Sequence, residues 1–296
     1  MRIINLLLLA LSISTLCSAG GGWTESKGNG YLKLSQHMIR ANQYFSPDGT
    51  LLDITTTSVY VTNLYGEYGL ADRLTGLIYA PLFVRSTINN RESSINGATE
   101  PGDEFSGIGD LEFGIKYGLV TSGPVVVAAS LILHFPTGQN VGGETELLQS
   151  GDGAFSQKIN IEASHSFYPS PFYTTLGVGF NHRGTTHYSY RLGEEEVNYS
   201  DEFRWGGEFG WTPGNHWMLN IKWLQVVSLK NGTTNGETGS SSIFGNNVEY
   251  FSITPEVNYA FSASWGISVA IGTAITGKNI LGDPNYNLGI FYTWKK

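Results

Sequence analysis

The chain has 296 residues, including 38 glycines, with 13% aromatic and 14% charged residues and a formal net charge of −8. The acidic balance disfavours nucleic acid as a partner, and a single cysteine excludes an intramolecular disulfide framework. The length suits one large domain, and beyond the first nineteen residues no apolar run approaches the roughly 20 residues that a membrane-spanning helix needs.

Residues 1–19 read as a secretory signal peptide. Arg2 gives a short positive region, Ile3 to Leu11 is an apolar run broken only by Asn5, and Cys17-Ser18-Ala19 supplies small residues for cleavage before Gly20. Bulky Leu16 before Cys17 does not suit a lipoprotein signal. Cleavage would remove Arg2 and the only cysteine, leaving residues 20–296 as one domain with a net charge of −9.

The exported part alternates apolar and polar residues with a period of two, the signature of strands with two unlike faces. Twelve strands are predicted near 30–43, 55–68, 74–85, 108–120, 125–135, 156–167, 172–182, 201–211, 217–229, 248–259, 265–276 and 285–294. Most exceed the roughly 9–11 residues that a tilted strand needs to cross the hydrocarbon layer. Pro81 and Pro255 fall inside two of them and remove ladder donors, so local bulges are expected there.

The connections alternate in length. Gly69 to Arg73, Thr121 to Pro124, Tyr168 to Pro171, Thr212 to His216 and Ala260 to Ser264 are tight-turn sequences. The intervening connections, near 44–54, 86–107, 136–155, 183–200, 230–247 and 277–284, are mostly long and polar. Short turns at one end and long loops at the other is the polarity of an outer-membrane barrel, with the short turns periplasmic. Aromatics collect at the short-turn end, among them Tyr68, Tyr117, Phe167, Trp217 and Trp265. Four strands carry a second aromatic eight residues away on the same face: Phe172 with Phe180, Phe203 with Trp211, Phe251 with Tyr259, and Tyr286 with Trp294. At about 3.3 Å per residue and a tilt near 40°, that spacing covers roughly 20 Å along the membrane normal, close to the height of an apolar band. A soluble β-sandwich with an aromatic core does not account for such repeated pairs.

The last strand is the clearest. Tyr286, Leu288, Ile290, Tyr292 and Trp294 form one apolar face, bounded by aromatics. Gly289, Tyr292 and Trp294 resemble the C-terminal signal by which bacterial outer-membrane proteins are recognised for insertion. That resemblance implies the barrel-assembly machinery as a partner; Lys295 and Lys296 extend the chain past the usual terminal aromatic.

With the oily parity toward lipid, the opposite parity faces a lumen. It gathers Lys33, Glu67, Asp110, Glu112, Lys116, Lys158, Glu162, Arg204, Glu208, Lys222 and Glu256, together with His37. A charge on the lipid face costs a few kcal/mol near the midplane, so one-sided placement is what a barrel requires. Glu208, Lys222 and Glu256 lie at comparable height on successive strands and are expected to form a ladder of paired charges. Two roles are open to the inward charges, a structural network or a conduit that guides solutes. Gly114, Gly177, Gly179, Gly206, Gly266 and Gly272 share the inward parity.

Ser106-Gly-Ile-Gly-Asp-Leu-Glu-Phe-Gly-Ile-Lys-Tyr-Gly118, then Phe135-Pro136-Thr137-Gly138 and Gly151-Asp152-Gly153, follow in an order that resembles the MetA-pathway of phenol degradation family of outer-membrane proteins. Tyr68-Gly69-Leu70-Ala71-Asp72-Arg73 is similar to that family's first short turn. The resemblance covers roughly 55–294. It implies a barrel that transports small, hydrophobic or aromatic compounds, and it transfers no substrate-contacting residue.

Chemistry is sparsely signalled. His187 and Ser189 share one side of an extended segment at the spacing seen in outer-membrane phospholipases, with Asp201 or Glu194 as orienting groups. Tyr190 and Arg191 replace the Asn and Gly that follow the serine in that family. His37 and His134 read as wall residues near the loops, and His165 as lipid-facing near the lower interface. No His/Cys spacing suggests a transition-metal site; Pro47-Asp48-Gly49 and Gly151-Asp152-Gly153 offer oxygens to calcium but are explained more simply as turns. The sequence thus predicts an all-β, twelve-stranded antiparallel transmembrane barrel in the outer membrane of a Gram-negative-type bacterium. It would pass small solutes without cofactor or catalysis. The alternatives are a lipid hydrolase using His187 and Ser189, and a structural or adhesive barrel with partner-binding loops.

Overall fold

The computed structural model describes residues 20–92, 99–233 and 245–296; the predicted signal peptide over 1–19 lies outside them. Twelve antiparallel strands close on themselves: β1 (Gly30–Phe45), β2 (Leu51–Ala71), β3 (Leu74–Ile88), β4 (Leu111–Val120), β5 (Val125–Phe135), β6 (Ser156–Ser166), β7 (Phe172–Arg183), β8 (Glu202–Trp211), β9 (Trp217–Ser228), β10 (Glu249–Ala260), β11 (Trp265–Lys278) and β12 (Asn285–Trp294). Each pairs with its sequence neighbours, and β12 completes the ring on β1 from Gly30↔Trp294 to Ile39↔Asn285. Closure leaves no unpaired sheet edge, which is the condition for strands to cross hydrocarbon.

Side-chain parity follows the predicted two-sided pattern. Leu176 is 57% exposed, Ile221 53% and Leu288 60%, all on the outer face, while inward Ser164 and Thr75 are at most 1% exposed. Outward aromatics touch laterally near the short turns: Trp217 with Tyr259 at 4.6 Å, Trp265 with Tyr292 at 4.7 Å and Tyr68 with Trp294 at 6.3 Å between ring centroids. Such rings suit an interface where one edge is wet and the other oily.

The two prolines are accommodated differently. At Pro81 the β2–β3 register shifts between Thr62↔Phe83 and Asn63↔Pro81, a bulge. The β3–β4 ladder ends at Tyr79↔Glu112, and the upper part of β3 instead pairs with a short strand, Asp103–Gly107. At Pro255 the register is kept. The β10–β11 pairing simply lapses between Ile253↔Thr273 and Glu256↔Ala270, and the bulge sits earlier in the strand, between Phe251 and Ser252.

The long connections carry more structure than their polarity predicts. Thr185–Tyr190 pairs with Gly193–Asn198 as a hairpin above β7 and β8. Its Tyr188 and Val197 are 3% and 2% exposed. Short alternating runs of this kind read as polar loops because most of their residues face water.

Candidate functional site: the lumen and its two ends

The inward faces of β1 to β10 and of β12 enclose a cavity of about 810 Å³. Lys33, Glu67, Glu112, Lys158, Glu162, Arg204, Glu208, Lys222 and Glu256 line it. Asp110 and Lys116 also point inward and are 5% and 3% exposed. All eleven charged positions read from parity therefore lie inside the barrel wall.

They fall into separate groups. Lys222 sits directly opposite Glu208 across β8 and β9, yet its ammonium binds Glu256 and stands 3.8 Å from Glu208. Glu256 also takes the Lys33 ammonium at 2.9 Å. Lys33, Glu256, Lys222 and Glu208 are thus one alternating chain of charge across β1 and β10 to β8, anchored at its end by the Tyr173 hydroxyl on Glu208. Lys116 and Glu67 form a second pair at 3.0 Å, almost without solvent. Interleaved with Lys33 and Glu67 on the same stretch of wall is an aromatic cluster, with Tyr31 stacked on Phe291 at 5.9 Å and edge-on to Tyr65 at 6.3 Å.

The short-turn end is narrowed by residues 20–29, a segment that no strand periodicity places inside the barrel. They run along the inner wall from β1 to β7. Gly28 and Asn29 pair with Gly69, and Glu25 N–H donates to Thr75 Oγ1 at 2.9 Å. The Trp23 carbonyl accepts from Lys116 at 3.3 Å, and Gly22 N–H donates to Ser164 Oγ at 2.9 Å. The Trp23 ring meets Tyr173 edge-on at 5.8 Å. The wall beneath is built from Thr75, Ala128, Ser164 and Thr175, all buried. This inward patch of small residues is the one sequence signal that something lies against it. Gly22 passes so close that a Cβ would stand 2.7 Å from the Val126 carbonyl oxygen.

The other end is capped by the connection over 136–155, which folds inward. Asp110 accepts hydrogen bonds from Gly138 N–H at 2.8 Å and Asp152 N–H at 2.7 Å, and Ser86 Oγ donates to the Gln149 carbonyl at 2.7 Å. Beneath this cap is a second cavity of about 180 Å³, lined in part by His134, Asp152, Lys158, Arg183, Glu202 and Arg204. Lys158 and Arg204 line both cavities and stand at the neck between them. On the remaining side Ile39, Ala41, Val59, Val61 and Val84 pack as a small apolar cluster inside the upper parts of β1 to β3.

Two readings of the sequence need correction. His134 is not an ordinary wall residue: Nδ1 is 3.2 Å from Glu112, and Nε2 is 3.3 Å from both Asp110 and Asp152. Asp152 does more than shape a turn, because its carboxylate enters the lumen and meets Arg183 at 3.2 Å. His37 does face inward from β1, opposite Asn287 and Val61. Outside, His165 contacts the Pro124 carbonyl and the Phe167 ring. Asp48 stays in its turn, accepting from Thr50 N–H at 3.1 Å.

The hydrolase constellation does not assemble. His187 stands 3.6 Å from Glu196, both well exposed. Ser189 lies opposite Glu194 on the open hairpin, and Asp201 is engaged by His182 at 2.8 Å and Asn231 at 2.9 Å. A serine nucleophile needs a base held within hydrogen-bond reach and oriented by a third group; His187 has a carboxylate neighbour in Glu196, but among the described residues no hydrogen bond joins it to Ser189.

No protein-family model and no curated protein sequence matches the chain. Solved structures do. An outer-membrane channel of Pseudomonas putida F1 superposes with a TM-score of 0.69 at 13% identity, covering 94% of this chain and 99% of the other. The NanC porin gives 0.51 at 8% identity over 88% and 98%. The β domain of the Bordetella autotransporter BrkA gives 0.50 at 13% over 91% and 100%. At these identities the likeness is one of fold, and the fold is that of outer-membrane β-barrels.

Proposed function

We propose that the chain is an outer-membrane channel for passive uptake of a small molecule, exported by a cleaved signal peptide and inserted through its C-terminal strand by the barrel-assembly machinery. The observation that carries this reading is the lumen. A barrel that served only as an anchor would gain most by filling its interior with packed side chains. This one keeps an 810 Å³ space lined by charge.

The charges and rings that line that space narrow the solute class. The Lys33–Glu256–Lys222–Glu208 chain offers both signs of charge, while Tyr31, Tyr65 and Phe291 offer ring faces. A compact solute with an aromatic body and a polar or ionised group satisfies both. That preference agrees with the resemblance of residues 55–294 to the MetA-pathway of phenol degradation family. The superposed Pseudomonas protein is itself an outer-membrane channel.

Planar-bilayer recordings of the purified barrel test the reading. Discrete conductance steps are expected, altered in amplitude and ion preference by Glu208→Ala and Lys222→Ala. A barrel that inserts but passes no current, in cells whose uptake of aromatic acids is unchanged on deletion, would sink it. The adhesive alternative predicts the reverse, with loop deletions abolishing partner binding while permeability stays intact.

A further inference from the structure

His134 lies at the top of β5, facing the lumen. Asp110 comes from the residue before β4, and Asp152 from the inward-folded cap. One oxygen of each carboxylate and a ring nitrogen of His134 fall within 4.8 Å of one another. Nε2 is 3.3 Å from both Asp110 Oδ2 and Asp152 Oδ1. It is fully buried and makes no well-formed hydrogen bond, so its only contacts are these two carboxylate approaches. A single proton on Nε2 would serve two oxygens at 3.3 Å only as a long three-centre contact. Tetrahedral zinc with ligand bonds of about 2.0–2.1 Å has ligand-to-ligand edges of about 3.3–3.4 Å. The two measured separations equal that edge.

The surroundings are those of a metal ligand set. Nδ1 of His134 is 3.2 Å from Glu112, the carboxylate–histidine arrangement that fixes a ring's tautomer and raises its basicity toward a metal. Glu112 is in turn held by Lys158. Each ligating oxygen accepts one backbone hydrogen bond, Asp110 Oδ2 from Asp152 N–H and Asp152 Oδ1 from Ala154 N–H at 2.9 Å. That leaves a second lone pair on each oxygen. The far oxygen of Asp152 is steered by Arg183. His134 and Asp152 also border the 180 Å³ cavity, the side from which a fourth ligand would approach.

We propose that Asp110, His134 and Asp152 form a divalent transition-metal site, best suited to zinc, that ties the inward-folded cap to the barrel wall. The mixed nitrogen and oxygen donors favour zinc over magnesium or calcium, which take oxygen ligands. Two ligands belong to the wall and the third to the cap, so the bound ion cross-links them across the loop end of the lumen.

The test is zinc titration of the purified, detergent-solubilised barrel against a chromophoric chelator, with folding followed by heat-modifiable gel mobility. One zinc per barrel is expected. His134→Ala and Asp152→Asn should weaken binding at least a hundredfold, and Glu112→Gln, which spares the three ligands, by roughly 10–100-fold. His165→Ala, on the lipid side, should bind as the parent does. Magnesium in millimolar excess should not compete. No stoichiometric zinc binding by the parent protein would overturn the proposal and leave His134 as an imidazolium among carboxylates. Equal affinity of the parent and a folded His134→Ala barrel would overturn it too. Where His134→Ala does not fold, Glu112→Gln decides: unchanged affinity counts against the site. Binding stands independently of transport. A second arm rests on the channel reading: micromolar zinc should lower single-channel conductance, and a chelator should restore it.

Discussion

The ammonium of Lys116 lies 3.0 Å from the Glu67 carboxylate, with the two side chains only 3% and 6% exposed. β2 and β4 are not neighbours, so the pair reaches across the inner face of β3 and stiffens the wall at the point where the Trp23 carbonyl rests on it. Breaking one partner leaves a buried charge unpaired. Glu67→Gln should therefore cost about 3–5 kcal/mol, and the double change to Glu67→Gln with Lys116→Met clearly less. Urea unfolding of the detergent-refolded barrel measures both; equal losses for the single and double variants would contradict the account.

Residues 20–29 narrow the short-turn mouth and, beyond their continuation into β1, are held to the inner wall by hydrogen bonds and packing. At Gly22 the neighbours that a side chain would meet are backbone atoms, which have no freedom to yield: the Val126 carbonyl at 2.7 Å, and the Glu162 carbonyl and Ser164 nitrogen at 3.0 Å. Gly22→Leu should expel the segment and raise single-channel conductance by roughly twofold or more, as widening a constriction does. Deletion of residues 20–27 should have the same effect. Conductance equal to the parent in both variants would show that the segment does not limit flow.

Lys222 is the middle cation of the lumen's charge chain. Lys222→Ala leaves Glu256 with Lys33 alone and removes the only cation near Glu208 among the described ion pairs. The cation-to-anion permeability ratio should rise, by roughly threefold, because acidic side chains then dominate that stretch of wall. Reversal potentials across a salt gradient give the ratio directly, and an unchanged value would remove this network from the conduction path.

Asp103 ties two long connections together at the cap. Its carboxylate accepts from Thr145 Oγ1 at 2.6 Å and from the N–H groups of Thr145 at 2.8 Å and Glu144 at 3.1 Å. Slight burial works against the charged form. The hydrogen bonds from Thr145, Glu144 and Glu104 outweigh it and hold the carboxyl below its ordinary value. A pKa depressed by folding stabilises the folded state above the unfolded value of about 4, and the contribution disappears as pH falls through the folded one. Hydrogen-exchange protection at Glu144 and Thr145 should thus be full near neutrality and decline below about pH 4. In Asp103→Asn it should be reduced at every pH. Protection that persists to strongly acidic pH would contradict this.

Ile221 is 53% exposed on the outer face of β9. Ile221→Arg should destabilise the refolded barrel by about 2–4 kcal/mol if that face meets hydrocarbon near the midplane. Lys222→Arg, one residue on and turned to the lumen, should cost little. Equal losses would mean that water or protein, not lipid, covers the outer face.

The strand boundaries are legible in the sequence because a barrel wall imposes the same rule on each strand: one parity must tolerate lipid, the other water. Phe172–Arg183 shows it: Leu176, Val178 and Phe180 are exposed on the outer face, while Thr175, Asn181 and Arg183 are buried on the inner one. A period of two needs no knowledge of the partner strand. The inward position of Lys33, Glu208 and Lys222 follows from that parity alone, since desolvating a charge in hydrocarbon is far costlier than any local preference.

The sequence by itself determined the barrel, its strand order, its polarity and the side of the wall on which each charge stands, because those depend on solvent and local periodicity. Only the tertiary structure decided what fills the inside. Residues 20–29 lie against Ser164 and Thr75, and Asp152 reaches Asp110 and His134. Contacts between distant segments depend on how much room the inward side chains leave, and no periodicity along one strand records the size of the space opposite it.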